Sequence, residues 1–245
     1  MTGHTHFRTI ASGRRRTLVG VIFGVGTTLG LALIAHHPTV GGLTGAEAIA
    51  KIRDLQTADK LVHGALITIV IAFGFAMSML ADCLGNARLA VRAGQNCYAM
   101  GVFAMVGAML IDGFVIPDVA TTLATGSIGI EAISDVVMRF GGVQIQILTK
   151  FGLLATALAI GLFSVALFRD NAWARASAVI GFLGCAVTII WITVLGVTLT
   201  PHSLRLVFGT QAVWYASIAV IASMQMVPLD VAEGCDSGVA KSSMT

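Results

Sequence analysis

Charge is scarce in this chain. Only 11% of its 245 residues are Asp, Glu, Lys or Arg, against 56% apolar residues and a mean hydropathy of +0.90. A soluble domain carries about a quarter charged residues, so too few are present to cover a water-facing surface. Lipid must therefore be the solvent for much of the chain. Phosphate-binding motifs are also missing, with no Walker loop and no GxGxxG in a strand–helix context. The net charge of +3 comes from a basic amino terminus and gives no ground for nucleic-acid binding. The 4 cysteines form no CxxC pair, which removes the usual redox and zinc motifs.

What is present is a series of long apolar runs. A spanning helix needs roughly 20 mostly apolar residues. Six runs qualify: 17–35, 61–82, 94–116, 148–168, 173–199 and 204–227. Lipid offers no partners to backbone groups, so each run should be helical. Barrel strands would be shorter and would alternate polar with apolar residues, which these do not. The fold expected is all-α: a polytopic six-helix transmembrane bundle with short interfacial helices on the outer side. It divides into a basic flexible tail (1–16), a transmembrane domain (17–227) of three helical hairpins (17–82, 94–168 and 173–227), and a polar flexible tail (228–245).

The loops orient the bundle. With the amino terminus inside, nine of the fifteen Lys and Arg residues lie inside, led by Arg14, Arg15 and Arg16 and by the short turns carrying Arg88, Arg92, Arg169 and Arg175. The positive-inside rule then places both termini in the cytoplasm, in a bacterial-type inner or plasma membrane. Cys83, Cys97 and Cys235 fall near or beyond the inner face and Cys185 within a span, so none sits where disulfides are favoured. Residues 14–35 are long for a signal-peptide core, and Leu33-Ile34-Ala35 is a poor cleavage site.

Two outer connections resemble one another: Gly45-Ala46-Glu47-Ala48-Ile49-Ala50 and Gly129-Ile130-Glu131-Ala132-Ile133-Ser134. The pattern is that of a degenerate hairpin repeat, though the match is short and its alphabet biased. Thr44 and Glu47 have capping-box spacing, and Ile49, Ile52 and Leu55 follow at helical spacing, as in a short interfacial helix. Gly20, Gly24, Gly26 and Gly30 give the first span small residues four apart, which is packing chemistry.

Three of the 4 prolines stand at the ends of apolar runs beside an ionisable residue: His36-His37-Pro38, Pro117-Asp118 and Pro201-His202. Proline removes a backbone donor and clashes with the preceding turn, so each is expected to end a helix. All three map to the outer side. There they gather His36, His37, His63 and His202, with Asp59 one turn before His63 and Asp112 just inside the third span. Asp118, Glu47 and Glu131 lie nearby on the connections. Imidazole and carboxylate are ligands for transition metals, and a carboxylate can orient a histidine for that role. Singly, His36, His37 and His202 also suit the headgroup region, and Asp59 a helix amino terminus. Asp112 is different, because an acid inside an apolar span is costly and should face the bundle interior with a partner.

Met105 and Met109 share a face with Asp112 and read as core filler more readily than as copper(I) ligands. Gln211, Trp214 and Tyr215 suit either a cavity lining or interhelical hydrogen bonds. The leading functional expectation is a binding or accessory membrane protein, alone or with a membrane-protein or homo-oligomeric partner. Its His/Asp cluster would hold a transition-metal ion or a haem. A proton- or cation-coupled transporter using Asp112 comes second, weakened by the lack of an internal proline or unwound span. An intramembrane enzyme comes third, since no nucleophile motif supports it.

Overall fold

The computed structural model describes residues 3–38, 43, 45–125, 131–168, 171–196 and 198–224; side chains are described from residue 13 onward, except at 125, 131–135, 201 and 202. Seven α-helices and two π-helical turns account for almost all of it, and no strand occurs among the described residues. The helices are α1 (Gly3–Ala35), α2 (Gly45–Leu84), α3 (Leu89–Leu110), α4 (Ile116–Thr125), α5 (Glu131–Leu167), α6 (Ala172–Ile189) and α7 (Pro201–Ser223). One π turn, Ile111–Val115, joins α3 to α4 without a break, and the other, Ile190–Val194, ends α6. Six helical segments are long and apolar enough to cross a membrane, with mean hydropathy between 1.5 and 2.2.

The elements differ from expectation at their edges. Residues 45–55 are helical as predicted, but they form the first turns of α2 and not a separate interfacial helix. Nothing between Ala46 and His63 breaks a helix, since neither glycine nor proline occurs there. At 40 residues α2 is about 60 Å long, twice a bilayer's hydrocarbon thickness of roughly 30 Å. α5 likewise takes in the later part of the second connection, from Glu131, and α1 takes in residues 3–16 of the basic tail. Thr44, Gly129 and Ile130 fall outside the described residues, as do Cys235 and the carboxy-terminal tail, so the capping box and the first two residues of the second repeat segment do too, while the rest of that segment opens α5.

Proline behaves differently at each of its three positions. Pro38 follows the end of α1, as expected. Pro201 opens α7 at a first-turn position, where its missing N–H is not needed. Pro117 sits inside a continuous helix. Its ring would collide with the carbonyl four residues back, that of Gly113, in a regular α-helix. The π turn over Ile111–Val115 widens the helix just before it and accommodates the ring. A span with an internal proline and a local irregularity is therefore present, contrary to the sequence-based expectation.

The helices close a ring in chain order. α1 packs on α2, α2 on α3 and α4, α3 on α5, α5 on α6, α6 on α7, and α7 back on α1. The α3–α5 contact is the most extensive. It depends on facing glycines: a Cβ on Gly101 would lie 2.6 Å from Thr156, and one on Gly152 would lie 2.6 Å from Met105. Large apolar side chains cover the outside of the ring, Phe103 at 84% exposure among them. An exterior of this kind is consistent with a multi-pass membrane protein. One end of the ring interior is filled by Phe23, Phe73, Trp214 and Tyr215, whose rings contact one another at 4.8–6.5 Å between centroids. The other end is hollow.

Candidate metal centre

The hollow is a cavity of about 340 Å³ bounded by α1, α2, α3, α5 and α7. It runs from His37, His63 and Asp112 down to Phe73, Tyr98 and Tyr215. By helical rise, the ten residues from His63 to Phe73 span about 15 Å. Its walls are mainly apolar, with Met105, Met109, Leu153 and Phe208 among them.

His63 is the centre of the polar end. Its residue is 2% exposed, and both ring nitrogens have close neighbours. Nδ1 lies 3.0 Å from the Asp59 backbone carbonyl and 3.2 Å from Asp59 Oδ1, one helical turn earlier. Nε2 lies 3.2 Å from His37 Nε2 and 3.3 Å from Asp112 Oδ2. His37 in turn has Nδ1 at 2.7 Å from the Pro38 carbonyl. A carbonyl oxygen only accepts, so Nδ1 carries the proton on both imidazoles. In their neutral forms the two Nε2 atoms are then both acceptors, 3.2 Å apart, with an Asp112 carboxylate oxygen 3.3 Å from that of His63. That convergence is repulsive unless a cation or a proton occupies it.

The backbone builds this arrangement in three places. His37 falls where α1 ends, so it can turn back over the cavity mouth toward α2, and the two rings meet edge to face at 4.8 Å. The π turn sets the facing of Asp112 on the third span. Gly113 makes room: a Cβ there would lie 2.3 Å from His63 Cβ and Cγ. Only a glycine lets the third span approach this closely to the imidazole. Neither the turn nor the role of Gly113 was anticipated from sequence, although Pro117 four residues after Gly113 was a legible signal for both.

The remaining candidates divide. His36 is exposed and its Nδ1 is 2.9 Å from the Ala32 carbonyl, so it stays on its own helix, away from the cluster. Asp118 is also outside the cluster. Its Oδ1 accepts from Lys60 Nζ at 2.6 Å and from Gln56 Nε2 at 2.7 Å, which ties α4 to the projecting part of α2. Glu47 is exposed in the first turn of α2, where a carboxylate complements the helix dipole. Gln211 is buried lower in the cavity wall and bridges α7 to α5, donating to the Leu153 carbonyl at 3.2 Å and accepting from Thr156 Oγ1 at 3.2 Å. The side chains of His202 and Glu131 lie outside the described residues. Met105 and Met109 form apolar wall beneath Asp112.

His37, Asp59 and His63 each offer a ligand atom within 4.8 Å of the others'. In tetrahedral zinc sites, bonds of 2.0–2.1 Å put ligand atoms about 3.3 Å apart. The 3.2 Å and 3.3 Å spacings around His63 Nε2 match that edge. Asp112 is 41% exposed and lines the cavity, so the ligand set is open on that side. A second cavity of about 90 Å³, lined by Pro38, Leu55, Asp59 and Ile116 among others, borders the cluster elsewhere. No protein-family model, curated protein or solved structure matches this chain.

Proposed function

We infer that this is a multi-pass membrane protein that binds a divalent transition-metal ion at the His63 end of its bundle. His37 and His63 are the histidine ligands; the carboxylates of Asp59, within 4.8 Å of both, and of Asp112, 3.3 Å from His63 Nε2, complete the set, and Asp59 also holds the His63 ring through Nδ1. The observation that carries this reading is the 3.2 Å approach of two Nε2 atoms whose Nδ1 atoms both face backbone carbonyls. A bare ion fits that approach better than haem, because a porphyrin between the two imidazoles would need them further apart. Two carboxylates beside the imidazoles offset the charge of a divalent ion. By the positive-inside argument this end faces away from the cytoplasm.

The test is elemental analysis of protein purified without chelator and then supplemented with zinc. One equivalent in the wild type, lost in His63→Ala and kept in His36→Ala, supports the site. Metal-free wild type after supplementation overturns it.

One observation favours a second reading, a cation-coupled transporter. The cluster lies between the small cavity and the large central one, and Asp112 borders both. An ion or proton passing between them would meet His63 and Asp112 on the way. Uptake of a radioactive zinc tracer into vesicles, lost in Asp112→Asn, supports transport over static binding.

A further inference from the structure

The central cavity has a neighbour on the lipid side. Between α2 and α3 lies a groove of about 700 Å³, lined by Gly74, Phe75, Asn96 and Phe103 among others. Phe75 is 64% exposed, so the groove opens on the apolar exterior. Tyr98 and Val102 line both the groove and the central cavity. They form a shared wall, in a part of the ring where α2 and α3 are held less extensively than α3 and α5. No charged side chain lines the groove, so a charged molecule would lose its hydration there without compensation.

The same wall carries an unused donor. Tyr98 and Tyr215 are buried, and their hydroxyls lie 3.2 Å apart. One hydrogen bond between two hydroxyls uses one of their two protons. The second has no acceptor among the described residues, and both rings line the cavity. A buried donor with nothing to bond is costly, and an oxygen acceptor from a bound molecule would relieve that cost. The cavity's 340 Å³ is at the small end of small-molecule sites, roughly 300–1,000 Å³, and suits one narrow chain.

We propose that the central cavity is a binding chamber for a neutral, single-chain carbonyl compound, which reaches it from the bilayer between α2 and α3 and accepts a hydrogen bond from the Tyr98–Tyr215 pair. The chamber is independent of the metal reading. His37, His63 and Asp112 line its upper end, but the proposal rests on Tyr98 and Tyr215 at its lower end and on the groove beside them, and requires no metal.

Glycines with open space around them provide the test. A Cβ on Gly142, in the cavity wall, or on Gly74, in the groove, meets nothing within 4 Å. Gly142→Phe should therefore fill the chamber and Gly74→Leu the groove, with the bundle intact. Gly30→Leu is a second filler, since a Cβ there meets only Phe208 at 3.8 Å. The probe is a diazirine-bearing long-chain methyl ketone added to protein in lipid nanodiscs, with crosslinks mapped by mass spectrometry and zinc measured in every sample.

In the wild type, crosslinks are expected on cavity residues such as Leu153 and Phe208. The double variant Tyr98→Phe/Tyr215→Phe, which removes both hydroxyl protons, should weaken labelling roughly tenfold, the loss of one buried hydrogen bond. Gly142→Phe or Gly30→Leu should abolish it, and Gly74→Leu should slow it at unchanged final extent. Crosslinks confined to lipid-facing Phe75 and Phe103 overturn the chamber, as does cavity labelling that both fillers leave untouched. An unchanged rate in Gly74→Leu overturns the lateral route. Full zinc content with failed ketone labelling refutes the chamber alone, and the reverse refutes the metal centre alone.

Discussion

At the scale of single residues, the site turns on which nitrogen of each imidazole is free. Backbone carbonyls hold Nδ1 of His37 and His63, so neither ring can turn its lone pair away without losing a hydrogen bond. His63→Ala removes the atom that both other ligands approach, and metal occupancy should vanish in elemental analysis. Asp59→Asn keeps the shape but not the charge behind His63 Nδ1. Losing an orienting carboxylate typically costs 10–100-fold in metal affinity, so a zinc titration should show weaker but measurable binding. Asp112→Asn should leave the protein folded, since the amide keeps size and polarity, while lowering occupancy more than Asp59→Asn does. A variant with wild-type zinc affinity would remove Asp112 from the ligand set. Sequence pointed to Asp112 because an acid inside an apolar run is expensive, and to His63 and Asp59 because they stand one turn apart at the start of the second span. It could not separate His37 from His36, since adjacent residues at a helix end differ only in where the chain turns next.

At the scale of elements, the decisive one is the π turn between α3 and α4. Pro117 cannot follow a regular α-turn without its ring striking the Gly113 carbonyl, and the extra residue in the turn resolves that conflict. Pro117→Ala removes the conflict. If the span then relaxes to a continuous α-helix, residues ahead of the turn shift by one position, about 100° around the axis. Asp112 would leave His63, and zinc occupancy should fall while thermal stability holds or rises. Gly113→Ala tests the same element from the other side. Its Cβ would overlap the His63 ring, and overpacking of this kind costs typically about 1–3 kcal/mol. A lower unfolding midpoint together with reduced metal content is expected. An Ala variant indistinguishable from wild type in both would mean that the close approach is not required.

At the scale of the whole molecule, six helices in a ring leave an interior that no single helix defines. α2 and α5, of 40 and 37 residues, are each longer than a bilayer's hydrocarbon is thick, and if the bundle spans one, the His63 end would stand partly clear of it. An even number of spans after a basic segment predicts both termini on the cytoplasmic side. Reporters fused at residue 245 and inserted at residue 126 should therefore give opposite signals. The same signal at both would break the topology, and with it the assignment of the metal end to the non-cytoplasmic face.

The sequence by itself determined the class and the number of spans. Scarce charge and six runs of spanning length leave a backbone no alternative to helix in lipid. It also determined that ionisable residues collect at one end, because the runs alternate in direction and the His- and Asp-bearing ends fall together. It did not determine that two projecting segments would stay continuous with their spans, since continuity depends on what α4 offers α2 to pack against. Nor did it determine the cavity, which exists because α3 and α5 meet closely at Gly101 and Gly152 while α1, α2 and α7 stand back from them around Met105 and Phe208. The meeting of His37 with His63, the pairing of Tyr98 with Tyr215 and the groove beside them each join residues from different helices. Their distances follow from how the ring closes, and only the tertiary structure fixes that.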